Sequence, residues 1–238
     1  MKRCNAFQIK LFMTMLMLLD HLAPLVPYEW ARVFHIISRP VAVWFAFTAV
    51  EGFFHTRSRI NYLLRLWGAA AVMQTGNLVL GFLMQAKPEL VPENNIFLTL
   101  AAGVSVLSLL EAEKKTVWHW LGALALLACG AVFAEGGYLL LPVILICWLL
   151  HDRPGLRSAM LALLFVFMSG TEFQPAPTMS MMVLEYLADN TLACVLAVPF
   201  LHLYNGKKGP NSPFARYFFY IFYPVHIWII AGLSYWLL

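Results

Sequence analysis

The sequence predicts an all-α integral membrane protein: a single polytopic bundle of about nine transmembrane helices, with a cytoplasmic N-terminus and an external C-terminus. Three observations carry that prediction. Of the 238 residues, 61% are apolar, 15% aromatic and 12% charged, whereas soluble domains run at about 45–50% apolar and about 25% charged. The mean hydropathy of +0.74 agrees, because so few ionisable groups cannot cover a water-facing surface. Apolar runs also recur between polar clusters along the whole chain, many of them near the ~20 residues that a helix needs to cross hydrocarbon. The same composition excludes disorder, fibrous repeats and nucleic-acid binding.

The spans lie near residues 7–26, 32–54, 60–85, 95–110, 117–134, 137–151, 156–170, 179–203 and 214–236. Met1-Lys2-Arg3 and the first run imitate a secretory leader, but further spans follow and no small-residue cleavage site ends the run, so it reads as a retained helix. The second contains Pro40, which removes a backbone bond and can kink it. The fourth, sixth and seventh are short, and only Glu135-Gly136-Gly137 separates the fifth from the sixth. Pro142, Pro199 and Pro224 fall inside later spans, while prolines such as Pro88, Pro154, Pro175 and Pro213 sit at loop edges, where helices end. Residues 1–238 read as one transmembrane domain with no repeat. Cys4, Cys129, Cys147 and Cys194 have no ligand spacing, so no metal site is expected.

Loop charge supplies the orientation. Lys2, Arg3, Arg57, Arg59, Arg65, Lys114, Lys115, Arg153, Arg157, Lys207, Lys208 and Arg216 all fall on one side if nine spans alternate, and the other side receives only Arg32 and Lys87. The positive-inside rule makes the richer side cytoplasmic.

Lys10 and Arg39 remain, both inside spans, where a charge costs about 2.5–3.5 kcal/mol and so usually faces a cavity or a partner. Lys10 and His21 are eleven residues apart, close to three turns, and share a face with Thr14 and Met17. Asp20 points elsewhere. Arg39, about two turns below the outer end of its span, is its expected partner at the level of His21. An ion pair that only orients helices, and a snorkelling Lys10, are the plainer readings. Arg57, Arg59 and Arg65 could hold phosphates by charge-assisted bonds or serve only topology. Gln74 and Asn77 share a face, as do Tyr223 and His226; Glu185, Asp189 and Asn190 sit in the outer half of the eighth span. These groups line a cavity or tie helices together. His35, His55, His151 and His202 belong to no constellation visible in the sequence.

Several stretches resemble the TraX family of membrane proteins. They are Leu19-Asp20-His21, Ser38-Arg39-Pro40, Glu51-Gly52-Phe53-Phe54-His55-Thr56-Arg57, Tyr62-Leu63-Leu64-Arg65-Leu66, Leu203-Tyr204-Asn205-Gly206-Lys207-Lys208-Gly209 and Tyr217 through His226. TraX-like proteins are associated with N-terminal acetylation of conjugative pilin and look related to transmembrane acyltransferases, including acyltransferase family 3. Proteins of that wider group carry a basic residue, ten residues, then histidine in the first span, which here reads Lys10-x10-His21. Their paired arginines are spaced RxxR, a pattern that Arg57, Arg59 and Arg65 do not keep.

The resemblance implies a bacterial inner-membrane enzyme that transfers acetyl from cytoplasmic acetyl-CoA to an external amine or hydroxyl. His21 would be general base, Arg39 would stabilise developing charge and Asp20 would hold Arg39, while Lys10, Arg57, Arg59 and Arg65 would serve the donor. Gln74, Asn77, Glu185, Asn190, Tyr223 and His226 are the expected acceptor-binding residues. A pilin-like peptide, a cell-surface glycan and a small molecule are all open as acceptor, and a homo-oligomer is open too; the lipid bilayer is the expected surrounding partner and nucleic acid is not expected. The competing reading is a transporter or channel that uses Lys10, Asp20, Arg39, Glu185 and Asp189 as a charged pathway. The absence of an inverted repeat counts against it.

Overall fold

A computed structural model of the protein describes residues 3–170 and 176–238. The expectations resting on Met1, Lys2 and Pro175, and on the side chain of Arg216, lie outside the described residues.

Each predicted span corresponds to one helix or a broken pair. The helices are α1 (Ala6–His21), α2 (Tyr28–Ser38), α3 (Pro40–His55), α4 (Arg59–Leu83), α5 (Ile96–Leu110), α6 (Val117–Phe133), α7 (Gly137–Leu149), α8 (Pro154–Met168), α9 (Met179–Asp189), α10 (Ala197–Leu203) and α11 (Pro213–Leu237). Short 3-10 turns occur at Ala23–Leu25, Pro88–Leu90 and Leu192–Leu196, and no strand forms among the described residues. Three helical stretches are long and apolar enough to cross a membrane: Tyr28–His55, Arg59–Leu83 and Tyr217–Leu237. A bent pair, Met179–Asp189 with Leu192–Leu203, makes up to four. The helices α5 to α8 are apolar but only 13 to 17 residues long.

Local chemistry explains the helix starts. Asn5 and Gln8 form a capping box at α1, satisfying two otherwise orphaned donors. Ser58, Asn95 and Thr178 cap α4, α5 and α9 by accepting from Asn61, Leu98 and Met181. Pro154 opens α8, where its missing N–H is not needed.

Of the nine expected spans, three or four are thus long and apolar enough to cross, and two of the nine are interrupted. The second span starts at Tyr28 rather than near residue 32, and it is interrupted at Arg39 because Pro40 cannot donate to the turn before it. The eighth breaks after Asp189 with a 71° bend. Asn190 is extended there (φ −112°, ψ 178°), and its Oδ1 accepts from Leu192 N at 2.8 Å, an alternative to the helical ladder that Asn side chains favour. Thr191 donates to the Phe165 carbonyl at 2.9 Å, fixing the break against α8.

The chain groups into two compact units. Unit 1 comprises Met1–Phe45 and Asp152–Ile221; unit 2 comprises Ala46–His151 and Phe222–Leu238. In unit 1, α2 packs against α1 and α9, and α8 against the broken segment. The chain start is strapped to residues 203–208: Arg3 and Cys4 donate to the Leu203 carbonyl, Ala6 to Lys207, and Asn205 back to Cys4. Gly209 (φ +93°) permits this approach, since a Cβ there would lie 2.7 Å from Asn5 Oδ1.

In unit 2, α5 packs on α4, α6 and α7, and nine of its 15 residues are buried, which makes it the centre of that unit. Of α6, only Ala123 and Gly130 are buried, and Trp118, Leu124, Val132 and Phe133 face outward. Small residues let backbones approach: the hydrogen of Gly137 stands where a Cβ would be 1.9 Å from the Gly130 carbonyl oxygen.

Within each unit, helix ends assigned by loop charge to one side touch one another. Arg59 at the start of α4 meets Glu111 after α5, which also meets Trp148 near the end of α7. Asn94 before α5 meets Glu135 before α7. Ser158 in the first turns of α8 meets His202 near the end of α10.

Candidate active site

The α1 stripe forms as the spacing predicts. Thr14 and Met17 are buried between Lys10 and His21, and Thr14 donates to the Lys10 carbonyl at 2.8 Å. Lys10 Nζ lies 6.0 Å from the Phe45 ring centre and 5.6 Å from that of Phe219, within the outer range of a cation–π contact. His21 Nδ1 is 2.8 Å from the Met17 carbonyl oxygen. A carbonyl only accepts, so Nδ1 carries the proton and, in the neutral ring, Nε2 carries the lone pair.

The expected Asp20–Arg39 pair does not form. Asp20 Oδ1 instead lies 2.7 Å from His35 Nδ1, and Arg39 donates to the Ala188 carbonyl of α9. The early start of α2 is the physical reason. With the helix beginning at Tyr28, Arg39 lies about three turns in and His35 about two, so the imidazole stands at the depth where the guanidinium was expected. His35, placed in no constellation by sequence, therefore joins the site. The signal was its position one turn from Arg39 on the same helix face.

Glu185 and Asp189 are held by Arg32. Its Nη2 is 2.6 Å from Glu185 Oε2 and also pairs with Asp189, while Tyr28 donates to Glu185 at 2.9 Å. Arg32, read from sequence only as a loop charge, thus ties α2 to α9. Asn190 does not continue the helical face of Glu185; it caps the break beyond α9. Each of the five charges of the transport reading has a local contact: aromatic rings for Lys10, His35 for Asp20, a backbone carbonyl for Arg39, and Arg32 shared by the two α9 carboxylates.

In unit 2 the three arginines differ. Arg59 is 2.5 Å from Glu111 and stacks on Phe53, its guanidinium carbon 4.3 Å from the ring centre. Arg65 lies over Tyr62 at 5.9 Å, and Arg57 is exposed. The same end of the unit holds a pair unseen in the sequence: His151 Nε2 lies 3.1 Å from Glu51 Oε1, and its ring packs on Phe54. A separation of 100 positions along the chain left no local signal.

Gln74, Asn77 and Tyr223 are joined by residues the sequence reading passed over. Asn95 donates to Gln74 at 3.3 Å and to the Ala70 carbonyl at 3.1 Å. Asn77 donates to the Asn94 carbonyl and accepts from the Trp228 indole at 3.0 Å. Glu135 gathers Asn94 at 2.9 Å and the Tyr223 hydroxyl at 3.0 Å on its two oxygens. Asn94-Asn95 before an apolar run was the legible cue, as a helix cap. His226 is buried, bonds the Phe222 carbonyl at 2.7 Å and stacks on the Phe222 ring. Among the described residues, no group of three or more His, Cys, Asp or Glu side chains could hold a metal ion.

Taken together, these helices and buried polar groups define a helical membrane protein with an imidazole–carboxylate cluster near the end of its first helix. The chain belongs to the TraX protein family, whose match covers residues 6–234. It is also similar to a probable fimbrial assembly protein FimC, serogroup H1, of Dichelobacter nodosus, at 29% identity over 246 residues covering 96% of this chain and 95% of that relative. No solved structure matches.

Proposed function

We propose that this chain is a membrane-embedded acetyltransferase of fimbrial or pilin assembly, moving acetyl from cytoplasmic acetyl-CoA to an amine or hydroxyl at the external side. Membership of the TraX family and the description of the FimC relative support the assembly role. The orientation of His21 carries the chemistry: its ring is tied through Nδ1 to its own helix, which puts the lone pair of the neutral ring on Nε2. As the acceptor attacks the thioester carbonyl, Nε2 takes its proton; the C–S bond breaks and the proton passes to the CoA thiolate. Arg39 uses one N–H on Ala188, and the remaining donors would face the developing oxyanion. Arg57 and Arg65 would hold donor phosphates. Nine alternating crossings of the bacterial inner membrane are part of this reading, supported by loop charge and by the contacts between same-side helix ends.

The test is acetyl transfer from labelled acetyl-CoA by protein purified in detergent. Wild type should release CoA and label an acceptor, and His21→Ala should fall by about 10²–10⁴-fold. Equal rates in the two proteins overturn the role of His21, and no CoA release by wild type returns the transport reading.

A further inference from the structure

Unit 1 gathers three lysines at the start of α1. Ala6 and Phe7 donate to the carbonyls of Lys207 and Lys208 at 2.8 and 3.2 Å, which brings both lysines to the first turn of the helix. Lys10 follows one turn later, near enough to Lys208 for the two charges to repel. Among the described residues, none of the three forms an ion pair with a carboxylate. We propose that this corner binds the phosphate of an anionic membrane lipid, held by Lys10 and Lys208 with Lys207 beside them. Such a site requires a helical membrane protein but no acetyl transfer, and it takes Lys10 away from the acyl donor.

The helix start decides which groups can hold the anion. A phosphate at a helix N-terminus ordinarily takes its bonds from free backbone N–H groups. In α1 those groups are spent: Ala6 and Phe7 donate to the strap, Gln8 to the Asn5 side chain and Ile9 to the Asn5 carbonyl. Lysine ammonium groups are the donors that remain, and as compact point charges they suit a phosphodiester with a single negative charge. The strap cannot carry Lys208 away from Lys10, because Arg3 and Cys4 bond Leu203, Asn205 bonds Cys4, and Gly209 sits against Asn5 and Phe7. Like charges fixed in this way repel until a counter-ion joins them.

The surroundings favour an amphiphile over a soluble phosphate. Lys207 and Lys208 are exposed, whereas Lys10 is half-buried beside Phe45 and Phe219, and Phe7 meets the Phe219 ring edge-on at 5.8 Å. On the next face round, α1 exposes Leu11, Phe12 and Met15, at 44%, 48% and 57%. A lipid satisfies both parts at once. Its phosphate meets the lysines about 6 Å along the helix from Ala6, and its acyl chains cover the apolar face below. Loop charge assigns this end to the cytoplasmic side. The leaflet there carries anionic lipid, and basic pockets between helices take its head groups.

The experiment adds phosphatidylglycerol or phosphatidylcholine to protein purified in a neutral detergent, counts bound lipid by native mass spectrometry and follows Tm. Wild type should prefer phosphatidylglycerol by about tenfold and gain several degrees of Tm from it. Lys10→Met should lose most of that preference, and so should the double variant Lys207→Gln/Lys208→Gln. The double variant removes two exposed side chains and leaves the backbone bonds of the strap in place, so it keeps the fold. Lys114→Gln/Lys115→Gln removes the same charge from exposed positions in unit 2 and should bind as wild type does. Equal loss in that control means diffuse attraction and overturns the proposal, as does a wild type that binds both lipids alike. Lys10→Met binding as wild type reduces Lys10 to a snorkelling cation and overturns its role. Displacement of the lipid by inorganic phosphate or acetyl-CoA makes the ligand a soluble phosphate instead. These readouts need no enzymatic activity, so a protein inactive towards acetyl-CoA would overturn the acetyltransferase reading alone.

Discussion

Arg57, Arg59 and Arg65 carry the same charge but different commitments. Arg59 is engaged by Glu111 and the Phe53 face, while Arg57 is exposed and Arg65 rests only on Tyr62. A phosphate can recruit the latter two without breaking an existing pair. Replacing Arg57 and Arg65 together by Ala should therefore raise the KM for acetyl-CoA by about tenfold or more, the worth of a charge-assisted bond, with kcat at saturation little changed. Arg59→Ala should alter KM less; steady-state kinetics against acetyl-CoA separates the cases, and a larger effect at Arg59 would reverse the assignment. Residue types and shared faces were legible in the sequence, as the Lys10–Thr14–Met17–His21 stripe with its buried Thr14 and Met17 shows. Partners were not. Asp20 was expected to meet Arg39 and meets His35, because one extra helical turn at Tyr28 changes which side chain stands at a given depth.

Among the elements, apolar length and caps were readable, since hydrocarbon sets the first and orphaned N–H groups the second. The break at Asn190 was hidden because apolar residues resume straight after Asp189-Asn190-Thr191, and this polar step bends the backbone only once its side chains find Leu192 and Phe165. Glycines were equally silent, yet they set the closest helix approaches. Gly137→Ala would put a methyl 1.9 Å from the Gly130 carbonyl, a backbone atom that cannot swing aside. Gly130→Ala would meet Leu141 Cδ1 at 2.9 Å, the end of a flexible side chain. Overpacking costs about 1–3 kcal/mol, so Gly137→Ala should lower Tm in detergent by several degrees and Gly130→Ala by clearly less. Equal Tm values for the two would contradict the packing described for α6 and α7.

For the molecule as a whole, loop charge and end-to-end contacts make the same forecast by different physics. Reporter fusions after residues 112, 152 and 206 should score as cytoplasmic, and those after 26, 86 and 135 as external; one interior loop on the wrong side would break the alternation. The short central helices carry this further. At 13 to 17 residues, α5 to α8 reach only about 20–26 Å, less than the ~30 Å of an ordinary hydrocarbon layer. In the proposed nine-crossing arrangement, a crossing built from them would impose hydrophobic mismatch, and the two leaflets would draw together around it. On the proposed function, each ångström of thinning would shorten the gap that an activated acyl group has to bridge between the two compartments.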